Sequence, residues 1–222
     1  MAQRAALASA RSDWRAGDDV VETAANAGLS RGAHGMSLKH ILLGLLRQPA
    51  SGYDLKREFD TSLAHFWAAE LSQIYPALKQ LEAEGLIAGK EAAPSLGPAR
   101  VIYKRTAKGS AALADWLAQG PKRGAQRHTD LAQTFFLDAL NADEAARFVE
   151  AMLAARREDL HVLQKIAAAW KRAAGAAFPD ALPDDEFYPY LTLEAGLAVA
   201  AARVAWCERA LHRIRKRRND TG

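Results

Sequence analysis

The sequence contains one cysteine, no long apolar run and little net charge. Because Cys207 alone cannot form an internal disulfide, the chain fits a reducing compartment, and we expect it in the cytoplasm. No stretch approaches the roughly 18 consecutive apolar residues of a membrane-spanning helix, so we expect no membrane partner. The net charge of +4, from 30 basic and 26 acidic residues, is compatible with a nucleic-acid partner but does not require one.

The sequence also lacks the groupings of residues that form catalytic or cofactor sites. The six histidines do not have the spacing of metal ligands, and no second cysteine is present. The glycines are isolated and form no phosphate-binding loop, and no pair of carboxylates stands out. We therefore expect no enzyme activity, no metal site and no cofactor.

Residues 1–35 differ in composition from the rest, being rich in Ala, Arg, Gly and Asp. They lack the apolar segment of a secretory signal. Met36 directly precedes the first strongly periodic helix, so we expect residues 1–35 to be a mobile N-terminal extension and the first domain to span residues 36–120.

Residues 36–120 predict three helices, a two-stranded hairpin and a linking helix, the order of a winged helix-turn-helix. The first helix should span residues 38–47, with Ser37 as its N-cap. Ser51 followed by Asp54 is a capping-box pattern that should open the second helix. The buried side of this second helix should comprise Tyr53, Leu55 and Phe59.

The third helix should begin near Ser72, because Pro76 is tolerated only near a helix start, and Gly85 should end it in a left-handed conformation. Strands should follow over residues 86–91 and 100–105, and Thr106 should cap a helix to residue 119. This linking helix should pack through Leu113, Trp116 and Leu117.

In such a fold the third helix enters the major groove of DNA and the hairpin approaches the backbone. Glutamine can bond bidentately to adenine, whereas lysines, arginines and hydroxyls suit phosphates, although the same residue types are also ordinary on a solvated surface. The candidate contacts with double-stranded operator DNA are Tyr53, Lys56, Ser72, Gln73, Tyr75, Lys79, Gln80, Arg100 and Lys104.

The C-terminal half, residues 125–218, predicts an all-α domain. A helix should cover residues 130–140, and Asn141 should cap a long helix to about residue 174. The last helix carries a heptad-like seam, which favours packing either against the preceding long helix or across a dimer interface. The seam residues proposed for a homodimer interface are Tyr190, Leu193, Leu197, Ala200, Val204, Leu211 and Ile214.

Five short segments between residues 38 and 119 form a recognisable pattern: Leu43-Gly44-Leu45-Leu46, Gly52-Tyr53-Asp54-Leu55, Ile74-Tyr75-Pro76-Ala77-Leu78-Lys79-Gln80-Leu81-Glu82, Glu84-Gly85-Leu86-Ile87, and Tyr103 with Thr106 and Gly109. Through these segments the chain resembles the PadR family of transcriptional regulators. The resemblance implies a winged helix with a C-terminal helical domain, a homodimer that binds operator DNA, and a repressor released by a small, in some members phenolic, effector.

An effector site requires apolar walls and a few polar groups. His65, Trp67, His128 and Phe135 together would supply them, although an aromatic cluster of purely structural function is the alternative. A second interpretation of the whole chain is a helical scaffold protein whose winged helix contacts another protein rather than DNA.

Overall fold

The computed structural model describes residues 31–91, 100–121, 128–175 and 178–221, with side chains described from residue 37 to residue 217. The chain divides into two compact units, which we call the N-terminal unit (residues 31–121) and the C-terminal unit (residues 128–221). Apart from residues 31–35, the predicted mobile extension lies outside the described residues, as does the predicted tip of the wing at residues 92–99.

The N-terminal unit is a winged helix. Its elements are α1 (Arg31–Leu45), β1 (Ala50–Ser51), α2 (Gly52–Glu58) with a π-helical turn (Phe59–Leu63), α3 (Leu71–Ala83), β2 (Ile87–Glu91), β3 (Val101–Arg105) and α4 (Ala107–Ala118). The sheet has the order β1-β3-β2, and both pairings are antiparallel.

One core joins all the helices of this unit. The side chains that carry it are almost fully buried because each helix places its apolar residues on one side at helical spacing. They include Leu42, Leu43 and Leu46 of α1, Leu55 of α2, Phe59 of the π-helical turn, and Ile74, Leu78 and Leu81 of α3.

Several predicted helix ends are confirmed. Ser51 and Asp54 form a complete capping box, in which the Asp54 backbone N–H donates to the Ser51 hydroxyl at 3.2 Å. Gly85 has a φ of +70°, the left-handed conformation that ends α3. Thr106 accepts the backbone N–H of Gly109 at 3.1 Å and so caps α4.

Other predictions for this unit are wrong. α1 already includes Arg31, so Ser37 lies inside the helix rather than at its N-cap. The sheet has a third strand because Ala50 and Ser51 pair with Tyr103 and Ile102, a contact that two residues cannot signal in a sequence. The side chain of Leu117 is 63% exposed, so the linking helix packs without it.

The C-terminal unit is all-helical, with α5 (Thr129–Phe135), a 3₁₀ turn (Leu137–Ala139), α6 (Ala142–Ala174) and α7 (Asp184–Thr221). Asn141 caps α6 through a capping box with Glu144, as predicted. α6 and α7 pack along their length around two apolar clusters, one centred on Trp170 and Tyr190, the other on Val149 and Cys207. Burial raises the pKa of the Cys207 thiol, which acts as an apolar filler.

Candidate nucleic-acid interface

Helix α3 presents one side to the core and the opposite side to solvent. Ile74, Leu78 and Leu81 are completely buried, which fixes the inward line of the helix. At about 100° per residue, the positions opposite this line fall one turn apart on the outer surface. The outward side chains are all exposed: Ser72, Pro76, Lys79, Gln80 and Ala83.

Tyr75 lies on the flank of α3, against the start of α2. A Cβ at Gly52 would lie 2.6 Å from Cε1 of the Tyr75 ring, so the glycine is what allows the ring to approach. The ring remains 45% exposed. Tyr75 therefore has a packing role in addition to the DNA contact predicted for it, and the Gly52–Tyr75 contact was not evident from the sequence.

Gln73 takes part in the cap of its own helix. Its Oε1 accepts the backbone N–H of Glu70 at 3.0 Å, which closes a capping box with Glu70 as the N-cap. A glutamine that reads adenine bidentately needs this same oxygen. The capping bond therefore occupies one of the two lone pairs of this oxygen and restrains the side chain.

Arg100 is held near the N-terminus of α2. Its Nη2 donates to the Ser51 hydroxyl at 3.3 Å and lies 3.5 Å from Oδ2 of Asp54. Partial burial opposes ionisation of Asp54, but the hydrogen bonds from Ser51 and the charges of Arg57 and Arg100 outweigh it and lower the pKa of Asp54. This polar cluster ties the end of the wing to α2.

Lys56 has two acidic neighbours. Its Nζ lies 2.6 Å from Oδ1 of Asp60 and 3.4 Å from Oε1 of Glu70. Desolvation favours the neutral amine, but the two carboxylates outweigh it and raise the pKa of Lys56. A phosphate would therefore compete with these partners for Lys56, whereas Tyr53, predicted to be buried, is 62% exposed and available.

The wing presents two lysines on its outer face. Residues paired directly across strands share a face, and the register pairs Ala88 with Lys104 and Lys90 with Ile102. Lys90 and Lys104 therefore point away from the core. Among the described residues, Lys79, Lys90 and Lys104 have no ion-pair partner, which leaves their charges for an external anion. Lys90 was missed in the sequence because its outward register depends on the strand pairing.

The residues predicted for effector binding lie in both units. In the N-terminal unit, His65 is half-buried and meets the Phe66 ring edge-on at 4.8 Å, and Trp67 packs against the core. In the C-terminal unit, Nη2 of Arg203 lies 3.2 Å from Nδ1 of His128. The side chain of Phe135 is 80% exposed and contacts the Phe136 ring.

Helix α5 is attached to the other helices mainly by polar contacts. Arg156 of α6 donates to Asp130 at 2.6 Å and to Asp159 at 3.0 Å, while none of the residues of α5 is buried. Partial burial opposes ionisation of Asp130, but Arg156 and the Leu131 backbone N–H lower its pKa. The predicted helix over residues 130–140 is thus shorter than expected, with its large apolar side chains outside.

The seam on α7 packs against α6 of the same chain, and its predicted contacts across a dimer interface stay a prediction. Burial against α6 leaves Tyr190, Leu193, Ala200 and Leu211 at 9% exposure or less. The half-buried Leu197, Val204 and Ile214 pack against the same two clusters. The alternative interpretation, a helical hairpin within the chain, is what the structure contains.

A second apolar face of α7 points away from α6. Tyr188, Leu191 and Val199 are exposed on it, and by length and composition alone α7 is apolar enough to cross a membrane. The sequence expectation concerned consecutive apolar residues, and Glu194 and Arg203 interrupt any such run in α7. One such helix is weak support for a membrane protein, since core helices of other proteins pass the same test.

Two family models match the chain, one in each half. The model described as "Transcriptional regulator PadR-like family" matches residues 41–115, and "Virulence activator alpha C-term" matches residues 126–215. The negative transcriptional regulator PadR of Bacillus subtilis (strain 168) is 32% identical over 181 residues, which cover 81% of this chain and 98% of the relative. The chain belongs to the PadR-like family of transcriptional regulators.

Solved structures of Bacillus subtilis PadR share the PadR-like fold seen here. The complex with operator DNA is 33% identical with a TM-score of 0.68, covering 80% of this chain and 99% of that one. The complex with p-coumaric acid is 31% identical with a TM-score of 0.63, covering 81% and 96%. The predicted fold class and the prediction that the chain is not an enzyme are both confirmed.

Proposed function

We propose that this PadR-like protein is a cytoplasmic repressor that binds operator DNA through α3 and the wing. The observation that carries the proposal is the outward side of α3, where every side chain is exposed and Lys79 has no ion-pair partner among the described residues. Lys104 and Lys90 add two charges on the outer face of the wing. The structure of Bacillus subtilis PadR with operator DNA supports the same use of the fold.

Binding to the DNA upstream of its own gene tests the proposal, since repressors of this type often control a neighbouring promoter. The purified chain should bind this fragment in the presence of excess random DNA, and its affinity should fall steeply with salt. The proposal would be contradicted if the chain bound this fragment no more tightly than random DNA, and if duplexes selected from a random pool were also bound no more tightly than random DNA.

We propose that the repressor is a homodimer, because two half-sites about 34 Å apart match the two-fold symmetry of a paired winged helix. The proposed interface is the outer face of α7. The side chains of Tyr188, Leu191 and Val199 on this face are each at least 40% exposed. A soluble helix that is apolar on two opposite sides is normally covered on both, and α6 covers one.

A charge placed on this face tests the dimer. Val199, which is 54% exposed, lies at the middle of the outer face, so Val199→Glu should convert the dimer to a monomer at micromolar concentration. Sedimentation velocity measures the change. Ala168→Glu, on the exposed side of α6, is the matched control and should leave the dimer intact. Equal masses for wild type and Val199→Glu would place the interface elsewhere.

We propose that a small aromatic acid releases the repressor; the candidate contacts are His65 and Trp67 within the N-terminal unit and, as a separate candidate set, His128 and Phe135 within the C-terminal unit. The chemistry that supports this is the combination of exposed aromatic surface with cationic or titratable groups, such as Arg203 beside His128. The complex of Bacillus subtilis PadR with p-coumaric acid supports the ligand class.

Thermal-shift measurements with p-coumaric acid test the effector. The acid should raise the melting temperature of the wild type and weaken its DNA binding, since ligand affinity and DNA affinity are reciprocally linked. His65→Ala should reduce both effects, whereas the control His161→Ala, on the exposed side of α6, should not. Equal responses from wild type and His65→Ala would remove His65 from the site.

A further inference from the structure

The side chains of α3 that point most directly away from the core are apolar. Taking the inward direction from Ile74, Leu78 and Leu81, Pro76 and Ala83 point within roughly 15° of directly outward at about 100° per residue. Both are exposed. The polar residues Ser72, Lys79 and Gln80 lie to either side of this direction, so the first groups that a groove floor would meet are hydrocarbon.

The polar side chains nearest the N-terminal half of α3 are partly engaged elsewhere. Gln73 uses its Oε1 to accept the Glu70 N–H at 3.0 Å. The Tyr75 ring is packed against Gly52 on the flank of the helix. Recognition helices contact base edges mainly through their N-terminal residues, which places Pro76 closer to the bases than Ala83.

We propose that Pro76 reads the 5-methyl group of thymine in the operator, an inference that rests on the DNA-binding function proposed above. The methyl of thymine is the one apolar group on the major-groove edge of the base pairs, and an apolar side chain selects it by contact. The ring of Pro76 offers methylene groups at the outermost point of the N-terminal half of α3. Lys79, one turn further along, anchors the same surface to the phosphates.

The position of a proline here also has a backbone consequence. Pro76 has no N–H, so the carbonyl of Ser72, four residues earlier, has no helical donor. Pro76→Ala removes the ring and restores the helical hydrogen bond, so this variant is expected to fold at least as well as the wild type.

Substitution of uracil for thymine tests the inference, since uracil keeps the hydrogen-bonding edge of the base and lacks only the methyl group. An operator duplex selected from a random pool with the full chain would have each thymine replaced in turn. For the wild type, at least one replacement should weaken binding about fourfold, the effect of burying one methyl group. For Pro76→Ala, the same replacement should have a clearly smaller effect, because only the Cβ remains to contact the methyl group.

Two controls separate this inference from the proposed function. Pro121→Ala, after α4, should show the wild-type uracil effect, and Lys79→Ala should bind both duplexes more weakly by the same factor. If no duplex is bound specifically, the DNA-binding function itself fails. If binding is specific but uracil has no effect on the wild type, or has an equal effect on Pro76→Ala, the assignment of Pro76 is overturned and the function stands.

Discussion

Replacement of Gly109 with alanine should destabilise the N-terminal unit by about 2–4 kcal/mol, from overpacking together with loss of a helix cap. A Cβ at this position would lie 2.0 Å from the carbonyl oxygen of Leu86, so the backbone must move. That carbonyl also accepts the backbone N–H of Thr106 at 3.1 Å and its hydroxyl at 3.0 Å. Displacing Leu86 would therefore break the contacts that hold the start of α4 against β2.

Urea unfolding followed by tryptophan fluorescence measures this loss through Trp67 and Trp116, in a background in which Trp14, Trp170 and Trp206 are replaced by phenylalanine. Gly44→Ala is the matched control, because no atom outside the neighbouring helix backbone lies within 4 Å of a Cβ at Gly44, near the C-terminal end of α1. This control should leave stability unchanged or raise it by up to about 1 kcal/mol, the helix propensity of alanine over glycine. A Gly109→Ala protein as stable as the wild type would show that α4 can shift away from β2.

The double substitution Lys79→Ala with Lys104→Ala should weaken operator binding by at least roughly 100-fold, since each charge-assisted contact contributes about 1.5–3 kcal/mol. Neither lysine has an ion-pair partner among the described residues, so their removal breaks no ion pair between those residues. For the proposed dimer, which loses both lysines from each protomer, the slope of log affinity against log salt should fall by roughly 4, because each neutralised phosphate contributes about 0.9.

Binding isotherms at four salt concentrations measure both the loss of affinity and the salt slope of the double variant. Lys165→Ala with Lys171→Ala removes the same charge from exposed positions on α6 and should change the slope little. An equal loss for both double variants would mean that net charge alone, rather than α3 and the wing, attracts the DNA. Unchanged binding by Lys79→Ala with Lys104→Ala would remove this face from the interface.

Local sequence patterns correctly predicted the helix ends that are set by residues close together in the sequence. The capping boxes at Ser51 and Asn141, the cap at Thr106 and the left-handed Gly85 all occur where the sequence placed them. The order of helices and strands in the winged helix followed from the same short-range signals. These features need only a few adjacent residues, so one sequence is enough to recognise them.

The features that the sequence did not reveal depend on distant contacts. Ala50 and Ser51 form a strand only because β3 lies beside them. Arg156 interrupts the apolar stripe of α6 because Asp130, 26 residues earlier, pairs with it. The periodic seam of α7 could not distinguish α6 from a second copy, since both partners require the same spacing.

The candidate site was predicted in outline rather than in detail. The exposed positions of Ser72, Lys79, Gln80 and Lys104 agree with a DNA-facing surface, but no observed contact tests their predicted roles. Gln73, Lys56 and Arg100 have partners that only the folded chain reveals. Residue type predicts which groups suit DNA, whereas competing intramolecular hydrogen bonds decide which of them are free.

A hydroxyl-radical footprint on a selected operator tests the central claim most directly. The account predicts two protected regions related by two-fold symmetry, with centres about 34 Å apart, and loss of both with Lys79→Ala and Lys104→Ala. A single protected region, or protection that persists in the double variant, would contradict a symmetric dimer that reads DNA through α3.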